Sequence, residues 1–109
     1  MNKQNEYVLV ITTVPDEKTG DKIAQQLVES RLAACASISS PIRSFYWWKN
    51  KITQDKEVML FIKTRTALYS TLEEKIKQSH PYQVPEIISL PIIQGLQSYL
   101  QWIDVETRK

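Results

Sequence analysis

The segment EVMLFIKT, residues 57–64, has a regular alternation of aliphatic and other residues. Val58, Leu60 and Ile62 are aliphatic and occupy every second position. The residues between them mix charges with large apolar side chains: Glu57, Met59, Phe61 and Lys63. Because successive side chains of a β-strand point to opposite faces of the sheet, this pattern predicts a strand with one face in the core. The other face is predicted to carry both charges and bulky apolar groups.

The residues before this strand predict a β-hairpin. Residues 49–51, KNK, form its polar tip, where Asn50 tolerates the positive φ of a tight turn better than other non-glycine residues do. The partner strand is predicted over about residues 33–49. We expect a bulge or bend in it near residues 39–41, because Pro41 cannot donate a hydrogen bond to the sheet ladder.

Strand–helix units flank this hairpin on both sides. The first and last strands along the chain are predicted over residues 7–14 and 86–93. Helices are predicted over 17–32, from about 66 to 80, and over 96–103. The second helix must end by His80, since a residue before proline is disfavoured in the α region. The resulting βαββαβ order with a C-terminal helix predicts an α+β, ferredoxin-like fold of split βαβ units.

Length and composition predict one soluble domain over residues 1–109. The chain is 42% hydrophobic and 24% charged, with a net charge of +2 and no block of basic residues. A nucleic-acid partner is therefore not expected, because phosphate binding needs a concentrated basic surface. No apolar run is long enough to span a bilayer, so no membrane partner is expected either.

The single cysteine and the polar first residues predict a cytoplasmic location. Cys35 has no second cysteine with which to form an internal disulfide, which is typical of a reducing compartment. The first residues, MNKQNEY, lack the apolar core of a signal peptide. Cys35 itself, in LAACAS, is interpreted as a small packed side chain because no positive charge lies near it in the sequence.

One face of the predicted sheet is left without a covering layer, which predicts self-association. Met59, Phe61 and the aromatic run FYWW at residues 45–48 would form a large exposed apolar patch in a monomer. Partial cover by the C-terminal helix, with ordinary packing within the hairpin, is the alternative. Burying each large side chain stabilises by roughly 1.5–3 kcal/mol, which favours association.

The chain resembles the CutA family of divalent-ion tolerance proteins. Six segments match in the family's order: TTVPDE (12–17), LVESRLAACASI (27–38), SFYWWKNKI (44–52), EVMLFIKT (57–64), HPYQVPEI (80–87) and YLQWI (99–103). The resemblance implies a homotrimer with an extended hairpin between the second and third strands. It also implies a non-enzymatic cytoplasmic role in copper and divalent-cation tolerance, signalling like that of PII regulators, and an unidentified protein partner.

The family's copper ligands are largely replaced in this sequence. The resemblance assigns them to a cysteine near the end of the first strand and a His-His pair before Pro-Tyr, which correspond here to Thr12, Ser79 and His80. Hydroxyl groups are poor copper ligands beside thiolate and imidazole. We therefore expect at most weak binding of copper or another divalent cation, with His80 as the metal-site candidate. A structural role for His80 at the helix C-terminus is the favoured alternative.

A cleft between subunits is the predicted ligand site. Its candidate residues carry polar groups within the matching segments or on the uncovered face: Trp48, Glu57, Lys63, Tyr82 and Glu86. Charges buried by association need partners, either across the interface or on a ligand. Two other function classes stay open. One is an enzyme that uses Lys63 and Glu57 on a small anionic substrate; the other is an RNA-binding module, which the missing RNP1 pattern disfavours.

Overall fold

The computed structural model of the protein describes residues 6–109, which form a mixed α+β domain. Its elements are β1 (Tyr7–Val14), α1 (Glu17–Glu29), β2 (Cys35–Ile38), β3 (Ile42–Trp48), β4 (Lys51–Arg65), α2 (Tyr69–Ser79), β5 (Ile87–Pro91) and α3 (Gln97–Glu106). A 3-10 turn, Thr66–Leu68, precedes α2.

The five strands form one antiparallel sheet with the ferredoxin-like order. The path is β2–β4–β1–β5, and β3 pairs with the first half of β4. Both β1 and β2 run antiparallel to β4, so they are parallel to each other with β4 between them. This arrangement is the split βαβ unit that the order of elements predicts.

The core lies between one face of the sheet and the first two helices. Ile23 and Leu27 of α1, and Leu72 and Ile76 of α2, have at most 1% of their surface exposed. They pack in one cluster with the alternate aliphatic residues of β4, such as Leu60. The predicted inward face of that strand is confirmed.

The third helix lies on the opposite face of the sheet, near the end of β4. Arg65 Nε donates to Thr107 Oγ1 at 2.8 Å, and the Lys63 Nζ lies 5.8 Å from the centre of the Tyr99 ring. The expectation that this second face is uncovered is therefore wrong at the α3 end. Farther along the face, Met59 and Phe61 are half-buried, while Ile88 is 49% exposed.

A hairpin arm, defined as residues 42–57, extends beyond the end of β1. β1 pairs with β4 only from Val58 onward, so this part of β4 has β3 as its partner. The arm turns through Lys49 and Asn50, with φ angles of 50° and 63°, as a two-residue hairpin turn of the I′ kind requires. The predicted tip is confirmed, and so is the predicted break, since β2 ends at Ile38 and β3 starts at Ile42.

Within residues 6–109, no helix combines the length and hydrophobicity that crossing a membrane would require.

Candidate functional site at the base of the hairpin arm

A buried carboxylate marks the base of the arm. Glu57 is 6% exposed and lies on the α3 side of β4. The phenol of Tyr82, from the segment between α2 and β5, donates a hydrogen bond to Glu57 Oε2 at 2.8 Å. Burial, and then this hydrogen bond, raise the pKa of Tyr82. The phenol therefore stays protonated and acts as a fixed donor to the carboxylate.

His80 connects the same segment to β1. Its Nδ1 accepts a hydrogen bond from the Tyr82 backbone N–H at 3.1 Å, which leaves the ring proton on Nε2 in the neutral tautomer. Nε2 then donates to the Thr13 carbonyl oxygen at 2.8 Å. The imidazole is 8% exposed and both of its nitrogens are engaged. Its carbonyl partner lies on β1, whereas the sequence interpretation considered only a role at the C-terminus of α2.

A second phenol–carboxylate pair follows on the same face of the arm. Tyr46 donates to Asp55 Oδ2, and this hydrogen bond is the main cause of the raised pKa of Tyr46. Asp55 precedes Glu57 by two positions on β4, so both carboxylates share one face of the strand. Each acid on this face thus receives a phenolic hydrogen bond.

The predicted cleft residues are only partly brought together within one chain. Glu57 and Tyr82 are in contact. Trp48 pairs with Lys51 at the tip of the arm, and Lys63 lies six positions beyond Glu57 in the other direction. At a rise of about 3.3 Å per residue, each is roughly 20 Å from Glu57 along the strand. Glu86 is exposed before β5. A cleft that unites all five residues stays a prediction, and joint catalysis by Lys63 and Glu57 would need two chains.

Lys63 belongs instead to a small cluster under α3. It pairs directly with Cys35 across the sheet, and the Cys35 Sγ lies 3.8 Å from the Tyr99 hydroxyl. Burial and the contact with Cys35 raise the pKa of Tyr99, whereas the charge of Lys63 lowers it. No positive charge lies near Cys35 in the sequence, as stated above, but the sheet register places Lys63 directly opposite it. The antiparallel register between the second and third predicted strands was the signal that could have revealed this neighbour.

The three residues at the family's ligand positions do not form a copper site in one chain. Ser79 Oγ donates to Gln26 Oε1 at 2.9 Å, and His80 has no free ring nitrogen. The hydroxyl of Thr12 is fully buried in the core, where residues 6–109 offer it no hydrogen-bond partner. No group of three or more His, Cys, Asp or Glu side chains in that same range is arranged to hold a metal. Weak metal binding through His80 stays a prediction.

Comparison with known sequences gives one consistent result. Residues 8–106 match the family described as CutA1 divalent ion tolerance protein. The divalent-cation tolerance protein CutA of Pyrococcus horikoshii is 43% identical over 94% of this chain and 99% of its own length. The chloroplastic protein CutA 1 of rice is 42% identical over 94% of this chain. The present chain spans 58% of the length of this rice protein.

Solved structures agree with the sequence match. CutA1 from Shewanella sp. SIB1 superposes with a TM-score of 0.94 at 42% identity, covering 97% of this chain and 99% of that one. A protein from Archaeoglobus fulgidus, described as a periplasmic divalent cation tolerance protein CutA, gives a TM-score of 0.91 at 35% identity, covering 94% and 99%. The likeness thus extends over nearly the whole chain in both sequence and backbone.

Proposed function

The chain belongs to the CutA1 divalent ion tolerance family, and on that premise we propose that it acts as a non-enzymatic homotrimer in tolerance of, or response to, divalent cations such as copper. At most weak binding of a metal or small ligand occurs, at boundaries between subunits. Its role is regulatory, as in PII-like signalling, and is exerted through a protein partner in the cytoplasm.

The exposed apolar surface on the α3 side of the sheet is the observation that carries association. Phe61, Ile11 and Ile88 lie side by side across β4, β1 and β5. Ile88 and its strand neighbour Leu90 are 49% and 43% exposed. A continuous apolar row of this kind is typical of a protein interface, and a symmetric homo-oligomer is the commonest way to cover it.

The geometry of His80 argues against strong metal binding at this residue. A ligand nitrogen must present a free lone pair, yet Nδ1 already accepts from Tyr82 and Nε2 donates to Thr13. Binding a cation would break at least one buried hydrogen bond, and leaving a buried polar group unpaired costs about 1–3 kcal/mol. His80 is thus better suited to linking the α2–β5 segment to β1 by hydrogen bonds than to binding copper.

Mass in solution tests the assembly. Light scattering of the purified protein is expected to give three times the mass of the chain. Ile88→Glu should lower that mass, because it places a charge in the apolar row. Val28→Glu, at a position of α1 that is 39% exposed and lies on the opposite face of the sheet, is the control and should leave the mass unchanged. A wild-type protein that stays monomeric at micromolar concentration would overturn the trimer.

Calorimetric titration of the metal-free protein with Cu(II) and Zn(II) tests the metal chemistry. We expect weak binding that is the same for the wild type and His80→Ala, with thermal unfolding used to verify that the variant is folded. Tight copper binding that His80→Ala abolishes would contradict the structural role of the imidazole. Neither result depends on the mass measurement, so the two parts of the proposal can fail separately.

A further inference from the structure

The cluster under α3 contains a lysine whose charge has no anion beside it. Lys63 lies half-buried on the α3 side of β4, and its Nζ is 5.8 Å from the centre of the Tyr99 ring. Of the ion pairs formed within residues 6–109, none includes Lys63. An ammonium group that loses part of its hydration without gaining a counter-ion is unfavourable. The surroundings of Lys63 therefore favour a bound anion.

The acidic side chains of α3 do not supply that anion. Glu106 Oε1 lies 2.8 Å from Arg31 Nη1, and Asp104 Oδ1 lies 2.8 Å from Arg108 Nε. Both carboxylates are thus engaged by arginines near the C-terminal end of the helix. Neither of them compensates the charge of the lysine.

The polar groups next to the lysine are hydrogen-bond donors. The Tyr99 hydroxyl has the Cys35 Sγ as its neighbour at 3.8 Å, and Cys35 is directly opposite Lys63 in the register. A thiol is a weak hydrogen-bond partner, so the phenol can still donate to a stronger acceptor. An ammonium, a phenol and a thiol together offer several protons to an oxyanion.

Apolar side chains border the same place. The rings of Tyr99 and Trp102 are stacked, with centroids 5.6 Å apart and planes inclined by 27°. Leu9 of β1 is paired with Lys63 on the other side of β4, and Leu90 of β5 follows in the same row, 43% exposed. Ligand sites in proteins commonly combine a few polar groups with such an apolar lining. The lining suits a ligand whose anionic group is attached to an apolar body.

We propose that Lys63 and Tyr99 bind the carboxylate of a small molecule with an apolar body. One ammonium group compensates one negative charge, so a carboxylate fits better than a phosphate, whose charge at pH 7 is about −1.5 to −2. The phenol donates the second hydrogen bond. The inference deepens the proposed function, on which it rests for the existence of a small ligand, by naming the chemical class of that ligand. Glu57 takes no part, so the ligand is bound without turnover.

Alkylation of the one cysteine of the chain tests the proposal, because its sulfur lies beside the two binding groups. Iodoacetate is a small carboxylate that alkylates thiols, and iodoacetamide is its neutral analogue. Both reagents attack the same thiolate, so the ratio of their rates does not depend on how much thiolate is present. The ratio of iodoacetate to iodoacetamide should be about tenfold higher in the folded protein than in the urea-unfolded chain, the factor expected of one hydrogen bond to a charged group.

Variants separate the site from net charge and from folding. Lys63→Met should lower the ratio to that of the unfolded chain, whereas Lys63→Arg should retain most of it, because the guanidinium keeps the charge. Tyr99→Phe should lower it about threefold, as the loss of one neutral donor predicts. Lys22→Met removes the same charge from an exposed position on α1 and should leave the ratio unchanged. Thermal unfolding verifies that each variant is folded.

Reversible ligands test the chemical class. Benzoate should slow the alkylation of Cys35 by iodoacetamide in the wild type and not in Lys63→Met. Benzamide, which has the same shape without the charge, should have no effect at equal concentration. Inorganic phosphate at the same ionic strength should protect less than benzoate, and stronger protection by phosphate would show that the class is wrong.

Other results would overturn the site itself. A ratio no higher in the folded protein than in the unfolded chain, or no reaction with either reagent, would exclude an accessible carboxylate site. Equal loss in Lys63→Met and Lys22→Met would reduce the effect to net charge. A lower solution mass for Lys63→Met, with no protection by benzoate, would show that the lysine pairs with a carboxylate of another copy. The wild-type mass and the metal titration are measured separately, so this inference can fail while the proposed function stands.

Discussion

β4 passes through two regions of the molecule that differ although the strand is continuous. Residues 58–64 pair with β1, and every second side chain is buried beneath α1 and α2. Residues 51–56 pair only with β3, and all except Thr53 are exposed. In both regions the backbone is pleated and forms antiparallel hydrogen bonds with a neighbouring strand. Burial in this protein is therefore decided by the covering layer of helices and not by the strand itself.

The interactions that stabilise the two regions also differ in strength. A large side chain buried in the sheet region stabilises by roughly 1.5–3 kcal/mol, whereas one cross-strand pair in the arm contributes about 0.2–1 kcal/mol. The arm is consequently the less stabilised part of the strand. Its side chains are free to serve contacts with other molecules, because few of them are needed for folding.

The largest expected difference comes from truncating one aliphatic residue in each region. Leu60→Ala should lower the free energy of unfolding by about 2–5 kcal/mol, because Leu60 has no exposed surface and the variant leaves a cavity. Ile52→Ala, at a position that is 66% exposed, should change it by less than about 0.5 kcal/mol. Urea denaturation measures both. Comparable losses would show that the arm is buried in solution.

A smaller effect, with opposite signs, is expected from two buried threonines of the sheet region. Thr12 and Thr64 are both fully buried, but of the two only Thr64 has a hydrogen-bond partner within residues 6–109, donating to the Leu32 carbonyl oxygen at 2.6 Å. Thr64→Val should destabilise by about 1 kcal/mol, since it leaves that carbonyl unpaired. Thr12→Val should stabilise by about 1 kcal/mol, because it removes a buried hydroxyl without a partner among residues 6–109.

Thermal and urea denaturation of both valine variants test this contrast. Destabilisation by Thr12→Val would indicate that its hydroxyl has a hydrogen-bond partner in solution.

The smallest expected effect is a change in alkaline stability. Burial, and then a hydrogen bond to Glu73, raise the pKa of Tyr69 from 10.0 to about 12. Between these values the unfolded chain loses the phenolic proton while the folded chain keeps it, so stability falls as pH rises. Tyr69→Phe should flatten this fall. Tyr46→Phe should flatten it less, because Tyr46 is exposed in the arm.

Urea midpoints from pH 8 to pH 11.5 measure the slope for both phenylalanine variants. An equal flattening by Tyr46→Phe would mean that the arm shields its phenol as well as the core shields Tyr69.

Local sequence patterns predict much of the fold. The alternation in residues 57–64 places Leu60 and its neighbours inward, and Asn50 marks the turn, because both effects act within a few residues. The C-terminal helix is predicted from its own apolar spacing, whereas its place on the second face is only the alternative to an uncovered sheet. That position depends on contacts such as Arg65 with Thr107, which are 42 residues apart.

The candidate site is less predictable than the fold. Glu57 and Tyr82 were named as candidates, but their contact joins two distant segments and follows from the path of the chain after α2. The engagement of both His80 nitrogens could not be read from the sequence either, since one partner is a backbone carbonyl on β1. Cys35 and Lys63 were assessed separately, although the antiparallel register sets them opposite each other.

Sequence patterns are sufficient to predict the elements, their order, the inward face of the central strand and the family. These follow from side-chain periodicity, turn chemistry and matching segments, all of which are local properties of the chain. Which polar groups have hydrogen-bond partners depends on the folded arrangement of distant segments. Hydrogen bonds and ion pairs act over a few ångströms in space, so the contacts of Asp55 and Glu57 with tyrosine hydroxyls become visible only when the chain is folded.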